Sequence, residues 1–84
     1  MKVLKFYADW CAPCKGLSMI VEGVKDQIDT VIEDINIEEN VELAQKYGVR
    51  SVPTLVLVDD DGKEVKKKTG MMNEGQFLEF VDVE

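Results

Sequence analysis

The stretch WCAPCK, residues Trp10–Lys15, decides how the rest of the chain is organised. It holds the two cysteines of the sequence, Cys11 and Cys14, between an apolar run on one side and a helix-period pattern on the other. Two thiols with this spacing, delivered by a strand to the first turn of a helix, are typical of dithiol/disulfide exchange. The sequence therefore predicts redox chemistry at this point of the chain.

Cys11 is predicted to occupy the N-cap of the helix that carries both thiols. Its sulfur would then lie over the unpaired N–H groups of the first turn, where the aligned peptide dipoles favour a thiolate over a thiol. Pro13 falls where no intrahelical hydrogen bond is missed, so it stiffens the loop and leaves the amide of Cys14 as the nearest donor. Lys15 adds a cation close by. We expect Cys11 to be the exposed nucleophile and Cys14 to be the buried thiol that attacks the mixed disulfide.

Other uses of the cysteine pair are a structural staple, a metal site or packed core thiols. A disulfide that closes a loop of about four residues removes only about 2 kcal/mol of unfolded-chain entropy, so it is a weak staple. Tetrahedral zinc needs four ligands, and the sequence has two cysteines and no histidine, so a structural metal would require a second chain. We expect neither a metal nor a bound cofactor, because the two thiols themselves carry the electrons.

Length and charge narrow the class of protein. The 84 residues are predicted to form one domain, residues 1–84. The net charge of −7 argues against non-specific binding to nucleic acid or to anionic membranes. No apolar stretch approaches the length of a membrane span, and Met1-Lys2 leads directly into a strand rather than a signal peptide. We therefore expect a cytoplasmic protein, and two cysteines in one motif fit a reducing compartment.

The hydrophobic pattern predicts a β-α-β-α-β-β-α order, in which a four-stranded mixed sheet has helices on both faces. The predicted strands cover residues 2–8, 30–37, 55–58 and 63–69, and the predicted helices cover residues 13–28, 40–47 and a last segment capped by Asn73. The first two strands are joined by a helix of suitable length, so they are predicted to be parallel. Asp59–Gly62 is predicted to be a tight hairpin turn, and the lysine-rich strand after it suits an exposed edge.

Three segments of the chain resemble the thioredoxin family. The W-C-x-P-C-K motif after an apolar strand is similar to that family's redox motif, Tyr47–Thr54 (YGVRSVPT) is similar to its Tyr-Gly-Ile/Val-Arg-x-Ile/Val-Pro-Thr segment, and Thr69-Gly70 resembles its late glycine. The resemblance covers nearly the whole chain but lacks the family's usual first strand and helix. It implies an α/β thioredoxin-like fold in a shortened form, similar to small archaeal or phage-type thioredoxins and glutaredoxin-like proteins.

The resemblance also implies where a substrate would dock. In the family the proline that corresponds to Pro53 is cis, which turns the backbone amide and carbonyl of the preceding Val52 outward beside the nucleophilic sulfur. An extended substrate segment would pair there as an added strand. The implied docking surface comprises Trp10, Ala12, Pro13, Val52, Pro53 and Gly70, and Met71 and Met72 are expected to flank its groove.

The family's activity implies thiol-disulfide exchange in the reducing direction on disulfide-containing proteins. A separate electron donor of the thioredoxin-reductase type would restore the dithiol, and we expect the chain to act as a monomer. Two alternatives stay open. One is a glutaredoxin-like enzyme reduced by glutathione, and the other is a non-catalytic thioredoxin-fold subunit of a larger assembly, in which the thiols are incidental.

Lys5 departs from the family's pattern. Six residues before the first cysteine the family usually has a buried aspartate that helps move protons to and from the resolving thiol, and the next parallel strand commonly carries a lysine. Here these positions hold Lys5 and Asp34, so the resemblance implies a pair with its charges exchanged. A buried unpaired ammonium costs several kcal/mol, so Lys5 either pairs with Asp34 or extends its head to solvent at a frayed strand edge. A positive charge beneath the dithiol would lower both thiol pKa values.

Overall fold

A computed structural model describes residues 1–82 of the chain. Its elements are strand β1 (Lys2–Tyr7), helix α1 (Ala12–Val24), a 3₁₀ turn (Lys25–Gln27), strand β2 (Val31–Asn36), helix α2 (Val41–Lys46), strands β3 (Thr54–Val58) and β4 (Glu64–Thr69), and helix α3 (Glu74–Val81). The predicted order of strands and helices is confirmed. The predicted domain of residues 1–84 ends with Val83 and Glu84, which lie outside the described residues, and its boundaries stay a prediction.

The four strands form one mixed sheet in the order β2-β1-β3-β4. Strand β1 is parallel to β2, as predicted, and antiparallel to β3, which is antiparallel to β4. Every residue of β3 is buried, whereas nearly every residue of the lysine-rich β4 is exposed. Charged side chains on a solvated edge discourage pairing with other chains. The two central strands therefore hold the core, and the prediction of an exposed lysine-rich edge is confirmed.

Helices cover both faces of the sheet and create two hydrophobic clusters. On one face, Val3 of β1 packs with residues of α1 and α3 such as Leu17 and Phe77, all of them fully buried. On the other face, Leu4 and Phe6 pack with residues of α2. Because side chains of a strand alternate between faces, Lys5 points to the same face as Val3, toward α1. The strand period thus places the one charged residue of β1's interior beneath the helix that carries the cysteines.

One helix boundary and one helix cap differ from the prediction. The apolar period predicts α1 to continue to residue 28, but α1 ends at Val24, whose φ of −116° and ψ of 7° are not helical. Ile28 is extended and still packs on the core, because the 3₁₀ turn carries the chain back toward the sheet. Asn40 lies at the N-cap of α2, but its side chain donates to the carbonyl oxygen of Asn36 at 3.0 Å instead of capping the helix. Local periodicity predicts where these helices lie without fixing their ends.

The other turn and cap residues take up the conformations that their sequence favours. Gly48 after α2 and Gly62 in the hairpin have positive φ values of 65° and 81°, conformations that glycine adopts without steric cost. Asn73 and Gln76 form a reciprocal capping box at the start of α3. These features hold the helices and the hairpin in the positions from which the site is built.

Candidate active site

Cys11 is the N-cap residue of α1. Its backbone is extended, with φ of −94° and ψ of 103°, and its Sγ accepts a hydrogen bond from the backbone N–H of Cys14 at 3.2 Å. Pro13 lies in the first turn, where it leaves no hydrogen bond unmade. The predicted cap geometry is therefore confirmed, and the sulfur occupies the place where the positive end of the helix dipole acts on it.

Cys11 and Cys14 are joined by a disulfide bond, with their Cα atoms 5.3 Å apart. That separation lies in the ordinary range for a disulfide. The two side chains can therefore exchange between dithiol and disulfide on this backbone, which is the chemistry that the motif predicts.

The expected exposure of Cys11 is wrong in this oxidised form. Cys11 and Cys14 are 4% and 3% exposed, and both pack with Ala8. Val52 and Ile37 pack against the same cluster, and the carbonyl oxygen of Val52 lies 3.7 Å from Cys11 Sγ. Segments distant in the sequence therefore cover the sulfur, and a partner reaches it only by fitting the surface immediately around it.

The loop before β3 supplies that cover. The Val52–Pro53 peptide bond is cis, and Pro53 is fully buried. The backbone N–H of Gly70 donates to the carbonyl oxygen of Pro53 at 2.8 Å, which ties the end of β4 to this loop. Gly70 has a φ of 99°, and a Cβ built on it would meet no atom within 4 Å. The structure thus brings Cys11, Val52, Pro53 and Gly70 together, with open space over the glycine.

Exposed side chains surround the disulfide on the α1 side. Trp10 is 68% exposed, and Ala12, Pro13 and Lys15 are also exposed. Met71 is half-exposed and lies over α1, with its Cε 3.1 Å from the position of a Cβ on Gly16. This rim leaves apolar surface open directly beside the buried sulfurs.

The prediction that Met72 flanks the same groove is wrong. Met72 is only 2% exposed and belongs to the core cluster between the sheet and helices α1 and α3. The chain turns at Gly70, and the two methionines that follow it point to opposite sides, Met71 outward and Met72 inward. Of the two, Met71 alone is available to a partner.

Lys5 is buried beneath α1 and forms the predicted ion pair. It is 5% exposed, and its Nζ lies 3.0 Å from Asp34 Oδ1 and within hydrogen-bond distance, 2.5 Å, of Ser18 Oγ. The pair follows from the strand register, in which Lys5 is the β1 partner of Asp34 on β2. The Asp34 side chain is 61% exposed because β2 is an edge strand. The alternative of a lysine at a frayed strand edge is wrong, and the pair consists of one buried and one solvated charge.

Sequence reasoning missed Ser18. This serine follows Cys14 by four residues on α1, so the two side chains share one side of the helix. The four-residue spacing from Cys14 was the signal that could have placed Ser18 near the site. A single serine in an amphipathic helix pattern is usually exposed to solvent without a specific partner, so the spacing did not single it out.

Metal-binding clusters and membrane-spanning helices are absent from residues 1–82. In this part of the chain, no group of three or more potential metal ligands lies close enough together to hold an ion. Among the same described residues, no helix is both long and apolar enough to cross a membrane.

A disulfide at the tip of a helix, next to a cis-proline loop on a central strand, defines a dithiol exchange site. A family model described as Thioredoxin matches residues 1–83. The thioredoxin of Chlamydia caviae is 35% identical over 81 residues, covering 95% of this chain and 78% of that protein. The thioredoxin of Rickettsia bellii is 32% identical over 82 residues, with coverages of 95% and 77%.

Solved structures agree with these relatives. A mutant thioredoxin from Halobacterium salinarum superposes with a TM-score of 0.85 and 42% identity, covering 94% of this chain and 69% of that one. Fasciola hepatica thioredoxin gives a TM-score of 0.81 and 35% identity, with coverages of 94% and 75%. The chain belongs to the thioredoxin family, and its activity is that of a thiol-disulfide oxidoreductase.

Proposed function

We propose that this protein reduces disulfide bonds in other proteins, with Cys11 as the nucleophile and Cys14 as the resolving thiol. The observation that carries this assignment is the hydrogen bond from the Cys14 backbone N–H to Cys11 Sγ at the N-cap of α1. The same donor and the same helix end favour a thiolate once the disulfide is reduced. Cys14 lies within α1, so its sulfur is not at the N-cap.

Two exchange steps transfer the electrons. The Cys11 thiolate attacks one sulfur of the substrate disulfide, and the other substrate sulfur leaves as a thiolate that takes a proton from water. Cys14 then loses its proton and attacks Cys11 Sγ, which breaks the mixed disulfide and releases the second substrate thiolate. The two protein thiols are thereby oxidised to the disulfide, and the substrate disulfide is reduced by two electrons.

The substrate would dock on the rim formed by Trp10, Ala12, Val52, Pro53 and Gly70. The nearly complete burial of Cys11 supports this, since a disulfide cannot reach the sulfur without lying against that rim. The open space over Gly70, beside the half-buried Val52, suits an extended segment that pairs as an added strand. Trp10 offers a large exposed apolar surface beside it.

Lys5 and Asp34 would adjust the dithiol, together with Lys15 and the stiffening Pro13. Cys14 and Ser18 are four residues apart on α1, which places their Cβ atoms roughly 6 Å apart, and Lys5 Nζ lies 2.5 Å from Ser18 Oγ. Unit charges on the order of 8 Å apart, at an effective dielectric constant near 20, interact by about 2 kcal/mol. Water in the groove beside Cys14 weakens this interaction. We therefore expect Lys5→Ala to raise the titration midpoints of both thiols by about one pH unit. An unchanged or lower midpoint would contradict this role.

The dithiol needs an external electron donor, and we propose a reductase of the thioredoxin-reductase type in the cytoplasm. A lone CxxC pair fits a reducing compartment, where protein disulfides are transient and catalytic. We also propose that the chain acts as a monomer, because the exposed β4 edge is protected by lysines.

An insulin-reduction assay tests the proposal. We expect turnover with NADPH and thioredoxin reductase, and little turnover when glutathione and glutathione reductase replace them. Cys11→Ser should abolish turnover, and Cys14→Ser should accumulate a mixed disulfide visible by mass spectrometry. Val41→Ser, at an exposed position on α2, serves as the matched control and should keep the parent rate. Undiminished turnover by Cys11→Ser would refute the assignment, and turnover with glutathione alone would move the protein to the glutaredoxin-like class.

A further inference from the structure

Ser18 lies between the buried ammonium and the resolving cysteine. An open groove of about 440 Å³ beside the disulfide is lined by Cys14, Lys15 and Ser18, among others. A second groove, of about 460 Å³ between α1 and β2, is lined by Lys5, Ser18 and Asp34, among others. Ser18 is the residue that lines both grooves. Ser18 therefore lies next to both the Lys5 side and the Cys14 side of α1.

The hydroxyl of Ser18 has a hydrogen available for a second partner. The Lys5 ammonium can only donate, so Ser18 Oγ is the acceptor in the contact between them. Within residues 1–82, this is the one hydrogen bond that the Ser18 hydroxyl makes. With an acceptor site occupied by Lys5, the O–H points away from the ammonium. Cys14, one turn earlier on the same side of α1, lines the same groove as Ser18.

We propose that Ser18 donates its O–H through one water in this groove to the Cys14 thiolate, and that Lys5 acts as the positioning residue that orients this hydroxyl. The inference rests on the proposed role of Cys14 as the resolving thiol. In that step, the Cys14 S–H bond breaks and its proton goes to water in the groove. The thiolate, held by the Ser18 hydroxyl through the bridging water, forms the bond to Cys11 Sγ while the bond from Cys11 to the substrate sulfur breaks.

Other charged or titratable groups near Lys5, Ser18 and Cys14 line the same two grooves. Those beside Cys14 are Tyr7, Asp9 and Lys15, and those beside Lys5 are Asp34, Glu22 and Lys25. The residues other than Lys5 and Tyr7 are exposed, so water screens their charges. The ring of Tyr7, with its centroid 6.0 Å from Lys5 Nζ, is partly buried. The Lys5 ammonium is thus the charge in this set that water screens least.

A titration of Cys14 alone tests the proposal. In a Cys11→Ser background, the rate of alkylation of Cys14 by iodoacetamide is measured against pH, which needs neither substrate nor reductase. Ser18→Ala should raise the midpoint by about one pH unit, the size expected for loss of a hydrogen bond to a charged group. The matched pair Ser18→Thr and Ser18→Val differs in the hydroxyl alone, so the threonine variant should keep the parent midpoint and the valine variant should follow Ser18→Ala.

A double-mutant cycle tests whether Lys5 orients the Ser18 hydroxyl in addition to acting on Cys14 through its charge. If Lys5 acts through Ser18, Lys5→Met and Ser18→Ala together should shift the midpoint no further than the larger single shift. Additive shifts, or an unchanged midpoint in both Ser18→Ala and Ser18→Val, would overturn the proposal. Alkylation of Cys14 does not depend on turnover. If the protein fails to reduce insulin but its variants show these shifts, the proposed function is refuted and the role of Ser18 is retained. Far-UV circular dichroism of each variant verifies that it is folded.

Discussion

Replacing Lys5 by methionine should leave the protein as stable as the parent or more stable, while it impairs the dithiol. Lys5 is 5% exposed, and placing an ammonium in such surroundings costs several kcal/mol. The Asp34 side chain is 61% exposed, and an ion pair with a solvated carboxylate returns about 0.2–1 kcal/mol. The hydrogen bond to Ser18, a neutral group, returns about 1.5–3 kcal/mol.

Methionine has an unbranched side chain that fills much of the space of the lysine stem, so it removes the charge without opening a large cavity. Losing one partner of a fully buried ion pair costs about 3–5 kcal/mol, because the other charge stays buried and uncompensated. That penalty does not apply here, since Asp34 keeps its water. We therefore expect the free energy of unfolding to rise by about 0–2 kcal/mol, which is a shift in Tm of up to roughly 10 °C for a domain of this size.

Urea titrations of the oxidised parent, Lys5→Met and Lys5→Ala measure this effect. Lys5→Ala is the comparison variant, because it removes the same charge but opens a cavity and should be less stable than Lys5→Met by about 2 kcal/mol. A fall of more than about 3 kcal/mol in Lys5→Met, with an unchanged m-value, would refute the reasoning. It would mean that the Lys5–Asp34 pair behaves energetically as a fully buried one.

Three further predictions concern stability. Gly23→Ala should raise the free energy of unfolding by about 0.5–1 kcal/mol, because Gly23 lies in α1 and a Cβ on it meets no atom within 4 Å; a lower urea midpoint would contradict this. Gly62→Ala should lower it by about 1–2 kcal/mol, because Gly62 has a φ of 81°; an unchanged midpoint would contradict this. The backbone N–H of Lys63 is the main group that holds the pKa of Asp59 below its ordinary value of 3.8, so the stability from this lowered pKa is present above pH 3.8 and is lost as the pH falls through the folded-state pKa. Asp59→Ala should therefore lose less Tm than the parent as the pH falls below about 4. An equal loss of Tm in the two proteins would contradict this prediction.

The parts of the site that the sequence predicts correctly are those set by neighbouring residues. A cysteine at an N-cap, a proline in the first turn and a free amide three residues on are all local, and they predict the hydrogen bond from Cys14 to Cys11 Sγ. The ion pair of Lys5 with Asp34 is less local. It was predicted because the resemblance to the thioredoxin family implies a charged pair at these two positions, and the parallel register of β1 and β2 places the two residues opposite each other.

The features that could not be predicted depend on segments far apart in the chain. Cys11 is buried because Val52, 41 residues away, lies against its sulfur. Ile28 continues the apolar period of α1, and the period is the same whether the residue reaches the core from a helix or from an extended segment after a 3₁₀ turn. Met71 and Met72 are chemically identical, and the turn at Gly70 decides which of them is buried.

We propose that the unequal burial of the Lys5–Asp34 pair determines which of the two charges acts on the dithiol. Two opposite charges in contact would largely cancel at a distance if both were buried equally. Asp34 is on an edge strand and in water, so solvent screens its field, whereas Lys5 sits under α1 where screening is weak. The remaining field on the Cys14 side of α1 is therefore positive. A pair with the acid on the central strand and the lysine on the edge would leave a negative field in the same fold, so on this proposal the order of the two charges across β1 and β2 would set the direction in which the pKa values of the thiols are shifted.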